Sequence, residues 1–198
     1  MKPFAESCEQ NKVPILDILR HELANTTTIL EIGSGTGQHA VFFAAQMPHL
    51  IWQTSDVTDY HTGIQAWIDD SGLENVLPPI ELDVLRSPWP ATRYDAVYSA
   101  NTVHIMGWTE VVAMFEGLGK RLNADATLCL YGPFNKHGEF TSESNARFDE
   151  WLKARDPKSG VRDMEMLIDL AAQQGLTFSA EHDMPANNKI LVWRNTPA

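Results

Sequence analysis

The chain has 198 residues, 43% of them hydrophobic and 21% charged, which suits one globular domain with a sizeable core and not a disordered or fibrous chain. Its 26 acids against 15 lysines and arginines give a formal charge of −11, a field that repels polyphosphate and anionic membrane surfaces. DNA and structured RNA are therefore not expected as partners, although acidity also serves simply to keep a protein soluble.

Cys8 and Cys129 stand in unlike contexts and offer neither a disulfide framework nor a CxxC metal pair; no metal site is expected. The opening "MKPFAESCEQNK" lacks an apolar signal core, and no window approaches the roughly 20 apolar residues of a membrane span. A cytoplasmic setting without membrane contact is expected.

The elements alternate along the chain. Residues 15–24, "ILDILRHELA", carry a helical apolar stripe whose entry Pro14 eases. Residues 1–14 before it form an N-terminal segment expected to close over a bound cofactor, with Glu9 or Asn11 as polar contacts. A strand "TTILEI" follows, then a helix over 38–47 stopped by Pro48, a strand over 50–55, and a helix over 60–70 ending before Gly72. Strands are predicted over 78–84 and 94–100, a helix over 108–122, and a fifth strand over 126–132. Helical patterns near 144–155 and 162–174 lead to two closing strands, 176–183 and 189–195, joined by "MPANN".

Five strand-then-helix units argue for a parallel sheet covered on both faces, because each crossover must pack back onto the sheet. The last two strands have no helix between them and must lie antiparallel. There are no internal repeats and no linker long enough to divide the chain, so a single domain over 1–198 is expected.

The first strand runs into "EIGSGTG". Glycine is favoured where backbone bends sharply or meets a ligand with no Cβ in the way. A dinucleotide fingerprint needs a third glycine three residues past the second, where this chain has Gln38. A P-loop is excluded, since no Gly-Lys-Ser or Gly-Lys-Thr follows. The spacing instead resembles the ExGxGxG turn of class I S-adenosylmethionine-dependent methyltransferases, in which the backbone clears room for a ligand without phosphates. Acids at later strand ends fit that reading, because open α/β sheets bind ligands there. Asp56 ends the second strand, where a carboxylate accepts both hydroxyls of a ribose. Asp83 ends the third, where it accepts from an adenine amino group. Each also reads as an ordinary strand-end turn acid.

The segments "LEIGSGTGQHAVFFA", "WQTSD", "NTVHIMGW", "YGPF", "TSESNARFD", "GVRDM" and "MPANN" together resemble a small family of class I methyltransferase-like proteins, the methyltransferase-like 26 type, over residues 7–194. The resemblance implies a Rossmann-like α/β fold with a seven-stranded, mostly parallel sheet, an antiparallel last strand and helices on both faces. It implies S-adenosylmethionine as cofactor, S-adenosylhomocysteine as product, and binding positions at Glu31, Gly33, Gly35, Asp56 and Asp83. It supplies no substrate.

A sulfonium is already a strong electrophile, so the protein's tasks are alignment and exclusion of water. A base is needed only when the nucleophile carries a proton it cannot lose alone. Ser34 lies within the turn and joins the cofactor-binding set, as does Asn101 in "SANTVHIMGW", which bonds the methionine end or a substrate. His104 in the same loop reads as a base or as a helix cap. Tyr131, ending the fifth strand, bonds substrate or anchors its loop. Asn145, Arg162 and Asn187 are candidate substrate contacts: Asn145 at the start of a helix, Arg162 as a bidentate partner for a carboxylate, and Asn187 at the rim in "MPANN". Ser144, Asp163 and that turn each have plain capping or turn explanations, and His137 beside Gly138 reads as an exposed tip.

The reading is a methyltransferase acting on a small molecule. The alternatives are a non-catalytic methyltransferase-fold scaffold and, with its missing glycine, a nucleotide-dependent oxidoreductase. No Asn/Asp-Pro-Pro-Tyr/Phe motif follows the fourth strand, which weakens a likeness to amino-group methyltransferases of bases and glutamine. The acceptor atom and the oligomeric state are left open.

Overall fold

The structure, a computed structural model, describes residues 2–195; Met1 of the N-terminal segment and residues 196–198 lie outside them. Seven strands form the main sheet: β1 (Thr28–Ile32), β2 (Ile51–Asp56), β3 (Val76–Glu81), β4 (Tyr94–Ala100), β5 (Leu122–Gly132), β8 (Leu176–Met184) and β9 (Asn188–Asn195). Their order is β3-β2-β1-β4-β5-β9-β8. β9 runs antiparallel to both β5 and β8, and the remaining pairs are parallel. Two short strands, β6 (Phe134–Asn135) and β7 (Arg162–Asp163), pair separately.

The helices are α1 (Glu6–Glu22), α2 (Gln38–Gln46), α3 (Thr58–Ser71), α4 (Trp108–Leu118), α5 (Glu143–Arg155) and α6 (Met164–Ala172). Alternation along the strands sends side chains to two layers. Trp52, Tyr98 and Val192 face Ile15, Phe43 and Ile64 of α1, α2 and α3. Leu30, Val97 and Trp193 face Val111 of α4 and Leu167 of α6. This is the Rossmann-like, seven-stranded fold with an antiparallel closing strand that the sequence predicts.

Several boundaries differ: α4 stops at Leu118 and β5 already starts at Leu122, and Arg162–Asp163 form a short strand before α6. The first helix begins at Glu6, not Ile15, and carries Pro14 inside it. A proline there removes one backbone bond, and the burial of Ile15, Leu16 and Leu19 on the sheet holds the helix through it. β3 ends at Glu81, so Asp83 lies beyond the strand. Its carboxylate Oδ1 instead accepts the N–H groups of Leu85 (3.0 Å) and Arg86 (3.2 Å), turning the chain. The connection from β3 to β4, residues 82–93, carries no helix, as the predicted elements have it, so strand-then-helix units number four and not the five counted from sequence. Trp89 of that connection lies against α4 at Gly117.

Candidate functional site

The carboxyl ends of β1, β2, β4 and β5 lie side by side, and the residues at their tips build the site. β1 ends in a turn with three left-handed glycines, Gly33 (φ +73°), Gly35 (φ +56°) and Gly37 (φ +89°). Gly33 and Ser34 both donate their N–H to Ser55 O of β2, at 3.1 and 3.0 Å, so the turn folds back over the neighbouring strand. The three glycines have different surroundings. A Cβ on Gly33 would come within 2.6 Å of Thr102 Oγ1, and one on Gly37 within 3.0 Å of Ile64 Cα. A Cβ on Gly35 would meet nothing within 4 Å. The turn is packed at both ends and open at its middle.

Asp56, at the tip of β2, faces that opening. Its Oδ2 accepts Gly35 N–H at 2.8 Å and its Oδ1 accepts Val57 N–H at 2.8 Å. Burial pushes its carboxyl up, against the pull of those amides. Each oxygen keeps a second acceptor position free. Glu31 is buried beneath the turn, where its Oε2 accepts from Ser34 Oγ (2.9 Å) and Trp52 Nε1 (3.1 Å). Burial pushes Glu31 up to about 7. Ser34 Oγ also accepts Ser55 N–H at 3.1 Å. Its hydroxyl and amide are thus turned into the protein, which leaves no side-chain donor for a cofactor.

At the top of β4 and β5, register places Ala100 beside Tyr131, and Asn101 N–H donates to Tyr131 O at 2.9 Å. Asn101 is held left-handed (φ 54°), a conformation Asn tolerates better than most residues. His104 is 3% exposed, and its Nδ1 is buried with no hydrogen-bond partner. The nitrogen points toward Gly132: a Cβ on that glycine would sit 3.4 Å from His104 Nδ1 and 3.9 Å from Asn101 Oδ1. An orphaned buried nitrogen is costly, and here it borders a gap kept by a glycine. Burial, reinforced by the positive charge of Arg162, brings His104 down to about 4. The ring is neutral at neutral pH.

The remaining candidates mainly hold the site's walls. Arg162 donates from Nε to Val103 O (3.0 Å) and from one Nη to Lys158 O (2.9 Å) and Met106 O. It clamps the loop that carries His104, with most of its fork already spent. Asn145 Nδ2 donates to Thr141 Oγ1 (3.0 Å) and Asn187 O (3.1 Å), and Asn187 Nδ2 to Ser144 Oγ (2.9 Å). These two expected substrate contacts are brought together, yet they bind each other's elements. Ser142, and not Ser144, caps α5, while Asp163 caps α6. His137 is an exposed tip paired with Glu165.

Sequence reasoning did not single out His39, Gly132 or Phe148. Phe148 meets the His104 ring edge-on at 5.2 Å. Asn11 and Glu9 of α1, expected as ligand contacts, reach protein instead: Asn11 Oδ1 lies 2.7 Å from His39 Nε2, and Glu9 Oε1 accepts from Gln38 Nε2 at 3.0 Å. Burial raises the Tyr131 hydroxyl, and the Asn11 side chain opposes that rise. Burial drives His39 down to about 4, so it too is neutral. Burial raises the Cys8 thiol to about 11.

Residues 2–195 match the family model described as "Protein of unknown function (DUF938)". The chain belongs to that family. This DUF938 protein shares its fold with solved methyltransferases. An O-methyltransferase family protein from Burkholderia thailandensis superposes with a TM-score of 0.83 at 14% identity, over 94% of this chain and 57% of that one. The S-adenosylmethionine-dependent methyltransferase SibL in its apo form gives 0.81 at 15% identity, over 96% and 56%. Human N-acetylserotonin methyltransferase in complex with S-adenosylmethionine gives 0.80 at 14%, over 97% and 53%. The DUF938 chain thus spans a little over half the length of these methyltransferases, and the likeness is one of fold.

Proposed function

We propose that this DUF938 protein is an S-adenosylmethionine-dependent methyltransferase acting on a small molecule, allied to the methyltransferase-like 26 type. The observation that carries the reading is the juxtaposition at the strand tips. An open glycine beside a strand-end carboxylate stands next to an orphaned, neutral histidine that borders a second glycine gap. The first pair suits a ribose and the second a methyl acceptor. A dinucleotide would need a third glycine for its pyrophosphate, where Gln38 is bonded to Ala5 and Glu9.

When bound, S-adenosylmethionine supplies a methyl group already activated on a sulfonium. Asp56 accepts ribose hydroxyls on its free lone pairs, and Gly33, Gly35 and the peptide of Ser34 give the close backbone approach. Asp83 retains Oδ2 for an adenine amino group, with Arg86 Nε 3.9 Å away. Glu31 acts through Ser34, by fixing the turn. Asn101 presents Oδ1 on the acceptor side. His104 orients the acceptor's proton; a ring held near 4 receives a hydrogen bond readily but takes a proton outright only as the methyl leaves the acceptor acidic. Tyr131, buried at the end of β5, stands on the acceptor side beside Asn101. Arg162, Asn145 and Asn187 act through the loop and turn they hold, closing the substrate side. Residues 6–12 of α1 lie against the turn and form the cofactor's cover. Product leaves as S-adenosylhomocysteine. The setting proposed is the cytoplasm, without nucleic acid or membrane partners.

Incubation of the purified protein with methyl-labelled S-adenosylmethionine and a fractionated small-molecule extract tests the reading. Label is expected to move into a metabolite fraction with the wild type and at least about tenfold more slowly with His104→Ala, the loss of one positioned proton-handling group being worth that much or more. Transfer at equal rates would remove His104 from the mechanism; none from any fraction, with cofactor bound, would favour the non-catalytic scaffold.

A further inference from the structure

The helix-free connection 82–93 and the C-terminal half of α4 enclose a cleft of about 500 Å³, separate from the strand tips. One wall is apolar: Val84, Leu85 and the half-buried indole of Trp89, which fits a notch at Gly117, where a Cβ would lie 2.0 Å from Trp89 Cε2. The other wall carries Lys120 and Arg121. Arg121 Nε is buried with no hydrogen-bond partner, and Nη1 reaches only Ala91 O, at 3.5 Å. Among the described residues neither Lys120 nor Arg121 forms an ion pair, in a chain with 26 acids to choose from. A guanidinium N–H buried without an acceptor is an expensive arrangement.

We propose that this cleft binds a small amphipathic anion, a single carboxylate or sulfonate on an apolar body. One anionic oxygen is held by the guanidinium of Arg121, which lines the cleft, in a charge-assisted bond and is neutralised further by Lys120. The apolar body lies on Trp89 and Val84 and covers Leu85, which is 49% exposed. Glu116, on the same wall, repels a second negative charge and so selects a monoanion. Both walls connect to the candidate site. Ser87 lines the cleft and its hydroxyl accepts the Asp83 N–H at 3.0 Å, while α4 starts four residues after His104. Occupancy therefore bears on the cofactor end and the acceptor end together.

Titration of the full chain with anilinonaphthalene sulfonate, followed by fluorescence and without any cofactor, tests this independently of the methyltransferase reading. Saturable binding is expected, displaced by hexanoate and not by hexanol. Arg121→Gln and Leu85→Glu should each weaken it by about tenfold or more, the worth of one charge-assisted bond, with thermal midpoints kept. Leu85→Glu lies on an exposed side chain and preserves the test if Arg121→Gln fails to fold. Absence of saturable binding, equal affinity in a folded variant, or equal displacement by hexanol would overturn the proposal.

Discussion

At the scale of single residues, the three glycines of the turn separate structural from functional need. Gly33→Ala drives a methyl into Thr102 and should cost the fold several kcal/mol, as overpacking and left-handed strain add. Gly35→Ala meets only the strain of φ +56°, about 1 kcal/mol, yet places a methyl on the proposed cofactor surface. Chemical denaturation and calorimetry with S-adenosylmethionine check the contrast: Gly33→Ala losing stability first, Gly35→Ala losing affinity first. Asp56→Ala should weaken cofactor binding by about tenfold or more, a charge-assisted acceptor being worth about that; unchanged calorimetric affinity would reject its role. The glycine spacing and Asp56 were legible because both follow from where a strand must stop. Asp83 was legible as a residue but not in its place, since its turn is made by its own side chain. The orphaned nitrogen of His104 was not legible at all, because a missing partner is a property of packing.

Elements show the same division. The alternation of strand and helix gave the topology, and the short "MPANN" link gave the antiparallel close, because both depend on local pattern and chain reach. What failed to show was how far the first helix extends. Pro14 reads as a helix start when only local rules are applied; burial of Ile15, Leu16 and Leu19 overrides it. The bonds of α1 to Gln38 and His39 join residues far apart in sequence, which no periodicity reports. Asn11→Ala should cost about 1 kcal/mol or more, since the buried His39 loses its bond. Denaturation in urea checks the cost, and a parallel fall in cofactor affinity is expected if α1 covers the site. Gly117→Ala makes a sharper test of the β3–β4 connection. Alanine ordinarily stabilises a helix over glycine, by up to about 1 kcal/mol and by less in the last turn where Gly117 sits; here the Cβ would overlap Trp89, so the sign should reverse and the thermal midpoint fall. A rise would show that the indole does not seat in the notch.

For the whole molecule, acid stability follows from three buried groups. His39 and His104 sit near 4 against an ordinary 6.5. Their neutral forms belong to the fold, so stability present above pH 6.5 is lost as pH falls toward 4. At pH 5 that is about 2 kcal/mol for each histidine. Glu31, raised to about 7, works the other way. The fold holds its proton more tightly than the unfolded chain does, so its contribution is full below pH 4.5 and is lost as pH rises through 7. At pH 5 it returns about 2.5 kcal/mol, leaving a modest net loss between pH 8 and 5. Glu31→Gln, which still accepts from Ser34 and Trp52, should therefore make the fall in thermal midpoint over that range clearly larger; an unchanged fall would contradict the account of Glu31. The central claim concerns the ligand that the strand tips accept, and the most direct measurement is parallel calorimetric titration of the wild type with S-adenosylmethionine and with NAD. The account predicts micromolar binding of the first and none of the second. Binding of NAD would contradict it by assigning the turn to a dinucleotide, and binding of neither would contradict it and leave the glycines of "EIGSGTG" with a backbone role only.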